Sequence, residues 1–157
     1  MIYIDMDGVL TDFRKMIKNA FGKDLPADKN VKEILTDSEF RQLQEDESIW
    51  QFEETDFAQD ILDIIGDTPF TIVSCVYGMN IASRKAKWLY YNGIFVPTIF
   101  IPVGTRKNTI IRPKFTELLI DDNWHEIKAW EGEYYHITEP FSKENFKRFI
   151  EDYKNAQ

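Results

Sequence analysis

The sequence predicts an α/β fold, a Rossmann-like three-layer sandwich with a central parallel sheet, from three observations. Short apolar runs alternate with stretches whose apolar residues recur at helical spacing, which is the order of β-α-β units. The runs are apolar at successive positions, as in strands that are covered on both faces. Two of the runs end in aspartates, and ligands bind at the carboxyl ends of strands in open α/β sheets.

Taken in order, the predicted strands cover residues 2–5, 70–74, 98–101, 117–121 and 134–138. Each strand is short and bounded by polar or turn residues. Apolar stripes in residues 57–65, 81–89 and 146–153 predict helices that pack on the sheet. Gly66 and Gly93 are predicted to end the first two helices, and Ser142 is predicted to cap the third.

Residues 14–55 break this alternation, because they are rich in charge and contain no good strand. Apolar residues recur around this stretch at helical spacing: Phe13, Met16, Ile17, Ala20 and Phe21. We predict a small helical cap of residues 14–55, inserted into a core of residues 1–13 and 56–157. Such a cap would cover a site at the sheet edge and exclude water from it.

Composition and charge limit the function. With 43% hydrophobic and 15% aromatic residues in 157, the chain has the composition of one folded domain. The net charge of -8 argues against general binding to a nucleic-acid polymer. The single cysteine, Cys75, excludes an internal disulfide and fits a reducing cytosol. Without a signal peptide or a membrane-length apolar run, we expect a cytoplasmic protein with no membrane partner.

The first motif that suggests a reactive site is Asp-Met-Asp-Gly-Val-Leu-Thr-Asp at residues 5–12, directly after the first strand. Asp5 and Asp7 can differ in role there, one as nucleophile and metal ligand and the other as proton carrier. Gly8 would let the backbone turn sharply between them and the next residues.

The second motif is Leu-Leu-Ile-Asp-Asp-Asn at residues 118–123, again an apolar strand that ends in acids. Carboxylates from two strand ends form the hard, oxygen-rich site that Mg²⁺ prefers. Asp5, Asp7, Asp121 and Asp122 are therefore the candidate metal-site residues.

Together the motifs resemble the haloacid dehalogenase superfamily of phosphohydrolases, which has an Asp-x-Asp after its first strand and an acidic pair after a later one. Residues 5–13, the segment Thr-Arg-Lys at residues 105–107 and residues 118–122 are similar, more narrowly, to the 5'(3')-deoxyribonucleotidase family. The resemblance implies a Mg²⁺-dependent hydrolase of phosphate monoesters. Its expected substrate is a deoxynucleoside monophosphate, cleaved through an aspartyl phosphate.

By this resemblance Asp5 is the nucleophile, and Asp7 is the acid that protonates the leaving alcohol and then activates water. Asp5, the backbone carbonyl of Asp7, and one or both of Asp121 and Asp122 hold Mg²⁺. The resemblance also places the hydroxyl of Ser74, at the end of the second strand, on the phosphate.

The family also needs a lysine that neutralises the phosphate and the attacking carboxylate. The segment at residues 105–109 implies Lys107 in this role. The interval from Lys107 to the acidic pair is a few residues longer than in the deoxyribonucleotidases, which leaves Lys114, and then Lys85, as alternatives.

The aromatic residues near the site have two interpretations. Phe13 occupies the position of an aromatic near the nucleoside in the deoxyribonucleotidases, and Trp50 with Phe52 would add a stacking wall or a hydrophobic lid. Alternatively, all three rings fill a core.

Ordinary structural roles are the alternatives at several other positions. Ser74 can be a simple strand-end serine, and Cys75 a small buried hydrophobe. Helix caps are the expected roles of Asp12 and Asn123, and structural or surface roles are expected for His125 and His136.

Three other functions stay open from the sequence. The first is a phosphatase that acts on a sugar phosphate or another small phosphorylated metabolite. The second is a noncatalytic binding module of the same fold. The third is a mutase that transfers the phosphoryl group to an acceptor other than water.

Overall fold

A computed structural model describes residues 1–26 and 29–157 and contains a five-stranded, parallel sheet. The strands are β1 (Ile2–Asp5), β2 (Phe70–Val76), β3 (Thr98–Pro102), β4 (Leu118–Asp121) and β5 (Glu133–His136). Their spatial order is β3-β2-β1-β4-β5. Every predicted strand is present, with ends shifted by no more than two residues. The predicted α/β fold is therefore confirmed.

The helices are α1 (Phe13–Phe21), α2 (Val31–Ile34), α3 (Asp37–Glu45), α4 (Ala58–Ile65), α5 (Met79–Tyr91), α6 (Lys107–Ile111), α7 (Trp124–Ala129) and α8 (Lys143–Asn155). A 3-10 turn covers Glu47–Ile49. None of the helices within the described part of the chain is both long enough and apolar enough to cross a membrane.

Helices lie on both faces of the sheet. Successive side chains of a strand point to opposite faces, so each strand contributes apolar side chains to both layers of packing. Ile2 and Ile4 of β1 pack into a large apolar cluster with residues of α4, α5 and α8. Tyr3, between them, lies on the other face, against the cluster formed by Leu119 and the apolar residues of α7. These two clusters separate the three layers that the sequence predicts.

The helix ends that the sequence predicts are correct. The following residues cap or end helices as expected: Asp12 at α1, Gly66 at α4, Asn123 at α7 and Ser142 at α8. Gly93 also ends α5 as expected, because it follows the C-cap Asn92 with a φ of 72°, in the left-handed region that favours glycine. The N–H of Gly93 donates to the carbonyl of Tyr90 at 3.1 Å, and the N–H of Ile94 donates to that of Leu89 at 2.9 Å, which closes the helix end.

Residues 13–49, here called the helical segment, form α1, α2, α3 and the 3-10 turn and contribute most of a separate apolar cluster. The chain enters and leaves this segment side by side. The N–H of Asp12 donates to the carbonyl of Glu53 at 2.9 Å, and the hydroxyl of Thr55 donates to the carbonyl of Val9 at 2.7 Å. The division into core and cap stays a prediction, and residues 27–28 of the cap lie outside the described residues.

Candidate functional site

Three aspartates meet at the carboxyl edge of the sheet. β1 and β4 are parallel neighbours with Ile4 beside Ile120, so Asp5 and Asp121 end the two strands side by side. Asp5, Asp121 and Asp122 each have a carboxylate oxygen within 4.8 Å of the others. Asp5 and Asp121 are buried, with 6% and 0% of their surface exposed. The structure thus brings the two acidic motifs together.

Lys107 joins two of these aspartates. It is the first residue of α6, and its Nζ donates to Asp5 Oδ1 and, at 2.5 Å, to Asp121 Oδ2. The lysine side chain is 2% exposed. Lys114, in contrast, is exposed and lies just before the amino end of β4, toward the opposite edge of the sheet. The geometry therefore favours Lys107 over Lys114 as the lysine of the site.

Lys85 joins the other predicted residues. It lies on α5, and its Nζ donates to Asp7 Oδ2 at 2.5 Å, to Ser74 Oγ at 2.7 Å and to the carbonyl of Cys75 at 2.9 Å. The Lys85 side chain is 1% exposed. The sequence favoured Lys85 least of the three candidate lysines, yet it contacts two of the predicted site residues. The site therefore contains two buried lysines, one on each side of the β1 end.

The sequence carries a signal for Lys85 but none for Arg14. Lys85 stands four residues from both Ile81 and Leu89, on the apolar stripe of α5, where a lysine needs a buried partner. Arg14 on α1 donates from Nη2 to Asp122 Oδ2 at 2.8 Å, across 108 residues of sequence. No local pattern links the two residues, although the contact ties the helical segment to the second motif.

Gly8 lets Asp122 approach the first motif. Its φ is 81°, and an added Cβ would lie 2.3 Å from Asp122 Oδ2. The N–H of Gly8 donates to the carbonyl of Thr11 at 2.7 Å, which closes the turn after β1. A side chain at this position would strain the turn and displace Asp122. Both the turn and the contact therefore require glycine.

The site holds more negative charge than its cations balance. Burial raises the pKa of Asp5 well above its usual range; Lys107 opposes this effect, and Asp121 adds to it. Burial and the charge of Asp121 raise the pKa of Asp122 to about 7, against the effect of Arg14. Burial acts to lower the pKa of Lys107, but Asp121 and Asp5 outweigh it and raise that pKa well above normal. A bound cation would relieve the repulsion among the carboxylates.

The available donors suit a hard divalent cation. The atoms that Asp5, Asp121 and Asp122 offer are all carboxylate oxygens, the ligands that Mg²⁺ and Ca²⁺ prefer over softer metals. The backbone carbonyl of Asp7 belongs to the turn that follows Asp5 and completes the predicted set. The residues present therefore fit the expected metal.

A cavity of about 540 Å³ opens over this cluster. One end is charged and is lined by the predicted catalytic residues and both buried lysines. The other end lies against the helical segment and is lined largely by apolar side chains, among them Phe13, Leu25, Val31, Leu43, Trp50 and Ile81. The cavity therefore joins a charged end to an apolar compartment.

The aromatic residues divide between lining and core. Phe13 and Trp50 line the cavity, and their ring centroids are 6.3 Å apart. Trp50 is held in place, because its Nε1 donates to the carbonyl of Leu43 at 2.6 Å and the Arg84 guanidinium lies 5.4 Å from its ring centroid. Phe52 is buried against Trp50, with ring centroids 5.3 Å apart, and fills the core of the helical segment.

Cys75, His125 and His136 lie near the site. Burial raises the pKa of the Cys75 thiol to about 11, which leaves it protonated at neutral pH. His136 Nε2 lies 3.1 Å from the carbonyl oxygen of Asp122, and its ring packs against Trp124 with centroids 5.1 Å apart. His125 is exposed at the rim of the cavity.

Fold and site together define an α/β protein with an acidic cluster, bridged by a lysine, at the carboxyl edge of a parallel sheet. No protein-family model matches the chain, and no curated protein matches it. The functional assignment therefore depends on the geometry and chemistry of the site.

Proposed function

We propose that this chain is a Mg²⁺-dependent phosphomonoesterase of the haloacid dehalogenase type, with Asp5 as a covalent nucleophile. One observation carries the proposal: Lys107 contacts both Asp5 and Asp121 at an edge where Asp122 also lies within 4.8 Å. A carboxylate nucleophile and a phosphate ester repel each other, so the reaction needs cations that neutralise both. Lys107 and a divalent cation on these carboxylates meet that need.

The reaction consists of two displacements. A carboxylate oxygen of Asp5 bonds to phosphorus while the bond from phosphorus to the leaving oxygen breaks, and Asp7 gives that oxygen a proton. Asp7, now ionised, takes a proton from water. The water oxygen then attacks the phosphorus of the aspartyl phosphate, which releases inorganic phosphate and free Asp5.

Positive charge and hydrogen-bond donors surround the position that the phosphoryl group would take. Lys107 reaches Asp5, while Lys85 donates to both Asp7 and the hydroxyl of Ser74. Such donors are worth most in a buried site, where they are fixed before the reaction begins. Mg²⁺ held by Asp5, the Asp7 carbonyl and one or both of Asp121 and Asp122 would supply further neutralisation of the phosphoryl oxygens.

The preferred substrate is a deoxynucleoside monophosphate, hydrolysed as by a 5'(3')-deoxyribonucleotidase. The apolar compartment, with Phe13 and Trp50 in its lining, suits a flat base better than a hydroxyl-rich sugar. The single free thiol, Cys75, fits a reducing compartment such as the cytosol.

The test is phosphate release from a panel of deoxynucleotides, ribonucleotides, sugar phosphates and an aryl phosphate, with Mg²⁺ or with EDTA. We expect turnover of deoxynucleotides that EDTA abolishes. Asp5→Asn should lower kcat at least about 1,000-fold, because the substitution removes the nucleophile. Asp67→Asn is the matched control, because Asp67 is exposed and precedes β2 at the opposite edge of the sheet.

The other outcomes distinguish the alternatives. Full activity of Asp5→Asn on the aryl phosphate would reject the covalent mechanism. Activity confined to sugar phosphates would keep the chemistry and replace the substrate. Release of alcohol without an equal amount of phosphate would indicate transfer to another acceptor, and an inactive wild type would favour a noncatalytic binding module.

A further inference from the structure

The helix that carries Lys107 begins without a side-chain cap of its own. Arg106 occupies the N-cap position of α6, and its side chain makes no capping hydrogen bond. The first N–H groups of a helix need acceptors from elsewhere. The backbone N–H of Lys107 donates to Glu126 Oε2 at 2.9 Å, in a buried bond that spans 19 residues of sequence. Glu126 thus supplies the missing cap from another helix.

Glu126 ties α6 to the helix that follows the acidic pair. It lies on α7, which begins two residues after Asp122, and 9% of its surface is exposed. Its Oε1 accepts from Arg106 Nη1 at 3.4 Å. Farther along α6, Asn108 Nδ2 donates to the carbonyl of Ala129 at 2.7 Å. Because α6 has five residues, too few for stability alone, its position depends on these bonds.

The position of α6 decides where the Lys107 ammonium lies, because a lysine side chain is long and flexible. We propose that Glu126 is a positioning residue: it holds the Lys107 backbone so that Nζ bridges Asp5 and Asp121. Among the described residues, the carboxylates close enough to share a cation do not include that of Glu126. Its two oxygens instead accept hydrogen bonds from the Arg106 side chain and from the backbone N–H of Lys107. The catalytic consequence rests on the proposed function, whereas the structural one does not.

The kinetic test compares two substitutions at one position. Glu126→Ala removes the acceptor and should lower kcat about 10- to 100-fold, the effect expected when a catalytic group is slightly misplaced. KM should change less, since the apolar compartment that would bind the base is left unchanged. Glu126→Gln keeps an acceptor and should retain kcat within about threefold. Glu131→Ala, at an exposed position just after α7, is the control and should behave as wild type.

A second background separates positioning from general support of the fold. In a Lys107→Met protein, Glu126→Ala should lower kcat by less than about twofold, because the group that it positions is gone. An equal loss in both backgrounds would overturn the proposal. So would an equal loss from Glu126→Ala and Glu126→Gln, since that result would indicate a role for the charge instead of the hydrogen bond.

Amide hydrogen exchange tests the same proposal without any substrate. Exchange of the Lys107 amide should become at least about tenfold faster in Glu126→Ala and stay near wild type in Glu126→Gln. A wild type that hydrolyses no phosphate ester would reject the proposed function, and exchange at Lys107 would then decide the positioning proposal alone. Unchanged exchange in Glu126→Ala would overturn it.

Discussion

The carboxyl edge of the sheet and the helical segment use charge in opposite ways. At the sheet edge, Asp5 and Asp121 are buried and share the single ammonium of Lys107. In the helical segment, several acids pair with cations near the surface: Lys18 with Asp24, Lys23 with Glu39 and Lys29 with Glu33. Exposed pairs contribute little to stability, whereas buried carboxylates are costly unless paired.

Two carboxyl groups show the contrast most clearly. Burial and Asp121 raise the pKa of Asp122 to about 7. The Lys23 ammonium, with hydrogen bonds from the backbone and side chain of Thr36, lowers the pKa of Glu39 to about 2. The helical segment therefore has acids whose charge is balanced by nearby cations, while the sheet edge concentrates negative charge in a way that a bound cation would relieve. Concentrated, unbalanced charge is typical of functional sites.

The largest expected effect comes from removing the shared ammonium. Lys107→Met leaves Asp5 and Asp121 facing each other in a buried site, and it should destabilise the protein by about 3 kcal/mol. Urea unfolding at neutral pH without divalent ions measures this loss. The control is Lys114→Met, an exposed lysine whose replacement should change stability by less than about 0.5 kcal/mol. Equal losses from the two substitutions would show that the buried bridge does not exist in solution.

The next effect is the pH dependence due to Asp122. A carboxyl group with a raised native pKa binds more protons in the native than in the unfolded state, so stability falls as pH rises from 3.8 to about 7. Asp122→Asn should flatten this fall by on the order of 2 kcal/mol. The test is the free energy of unfolding in urea, measured across this pH range in the presence of EDTA, with Asp67→Asn as the control. If the stability of Asp122→Asn fell with rising pH as steeply as that of wild type, Asp122 would not be the source of the pH dependence.

Two glycines with positive φ angles, Gly8 and Gly22, give a sharper comparison between the regions. Gly22, at the end of α1, has a φ of 68° and no atom within 4 Å of an added Cβ. Gly22→Ala should therefore cost about 1 kcal/mol, from the left-handed backbone alone. Gly8→Ala adds a clash with Asp122, so it should cost roughly 1 kcal/mol more and weaken Mg²⁺ binding.

Thermal unfolding and Mg²⁺ titration calorimetry measure the two consequences. Mg²⁺ affinity should be unchanged in Gly22→Ala and reduced in Gly8→Ala. Equal effects of both substitutions would mean that Asp122 does not lie against Gly8.

The smallest effect belongs to Glu39. Its lowered native pKa stabilises the protein above pH 4.5, and this contribution is lost as pH falls from 4.5 toward about 2. Glu39→Gln should therefore remove part of the acid-induced loss of stability and leave activity unchanged. Acid unfolding followed by circular dichroism would detect it, with Glu131→Gln as the exposed control. If Glu39→Gln lost stability with falling pH just as wild type does, the ion pair between Glu39 and Lys23 would be absent in solution.

The sequence by itself determined the layers of the fold, the strand ends with their aspartates, and several of the helix caps. These features depend on residues within a few positions of one another, such as apolar runs after which Asp5 and Asp121 follow, or Ser142 before an amphipathic stripe. Because parallel strands end at one edge, the meeting of the two acidic motifs also followed from local patterns.

The resemblance favoured Lys107, but only the tertiary structure decided which cations contact which acids. Lys85, Lys107 and Arg14 come from three different helices, and their reach depends on how each helix packs on the sheet. Spacing along the chain cannot rank Lys107 above Lys114, since a loop of any length can return to the same edge. The capping of α6 by Glu126 is likewise invisible in sequence, because its partners meet only when two helices dock side by side.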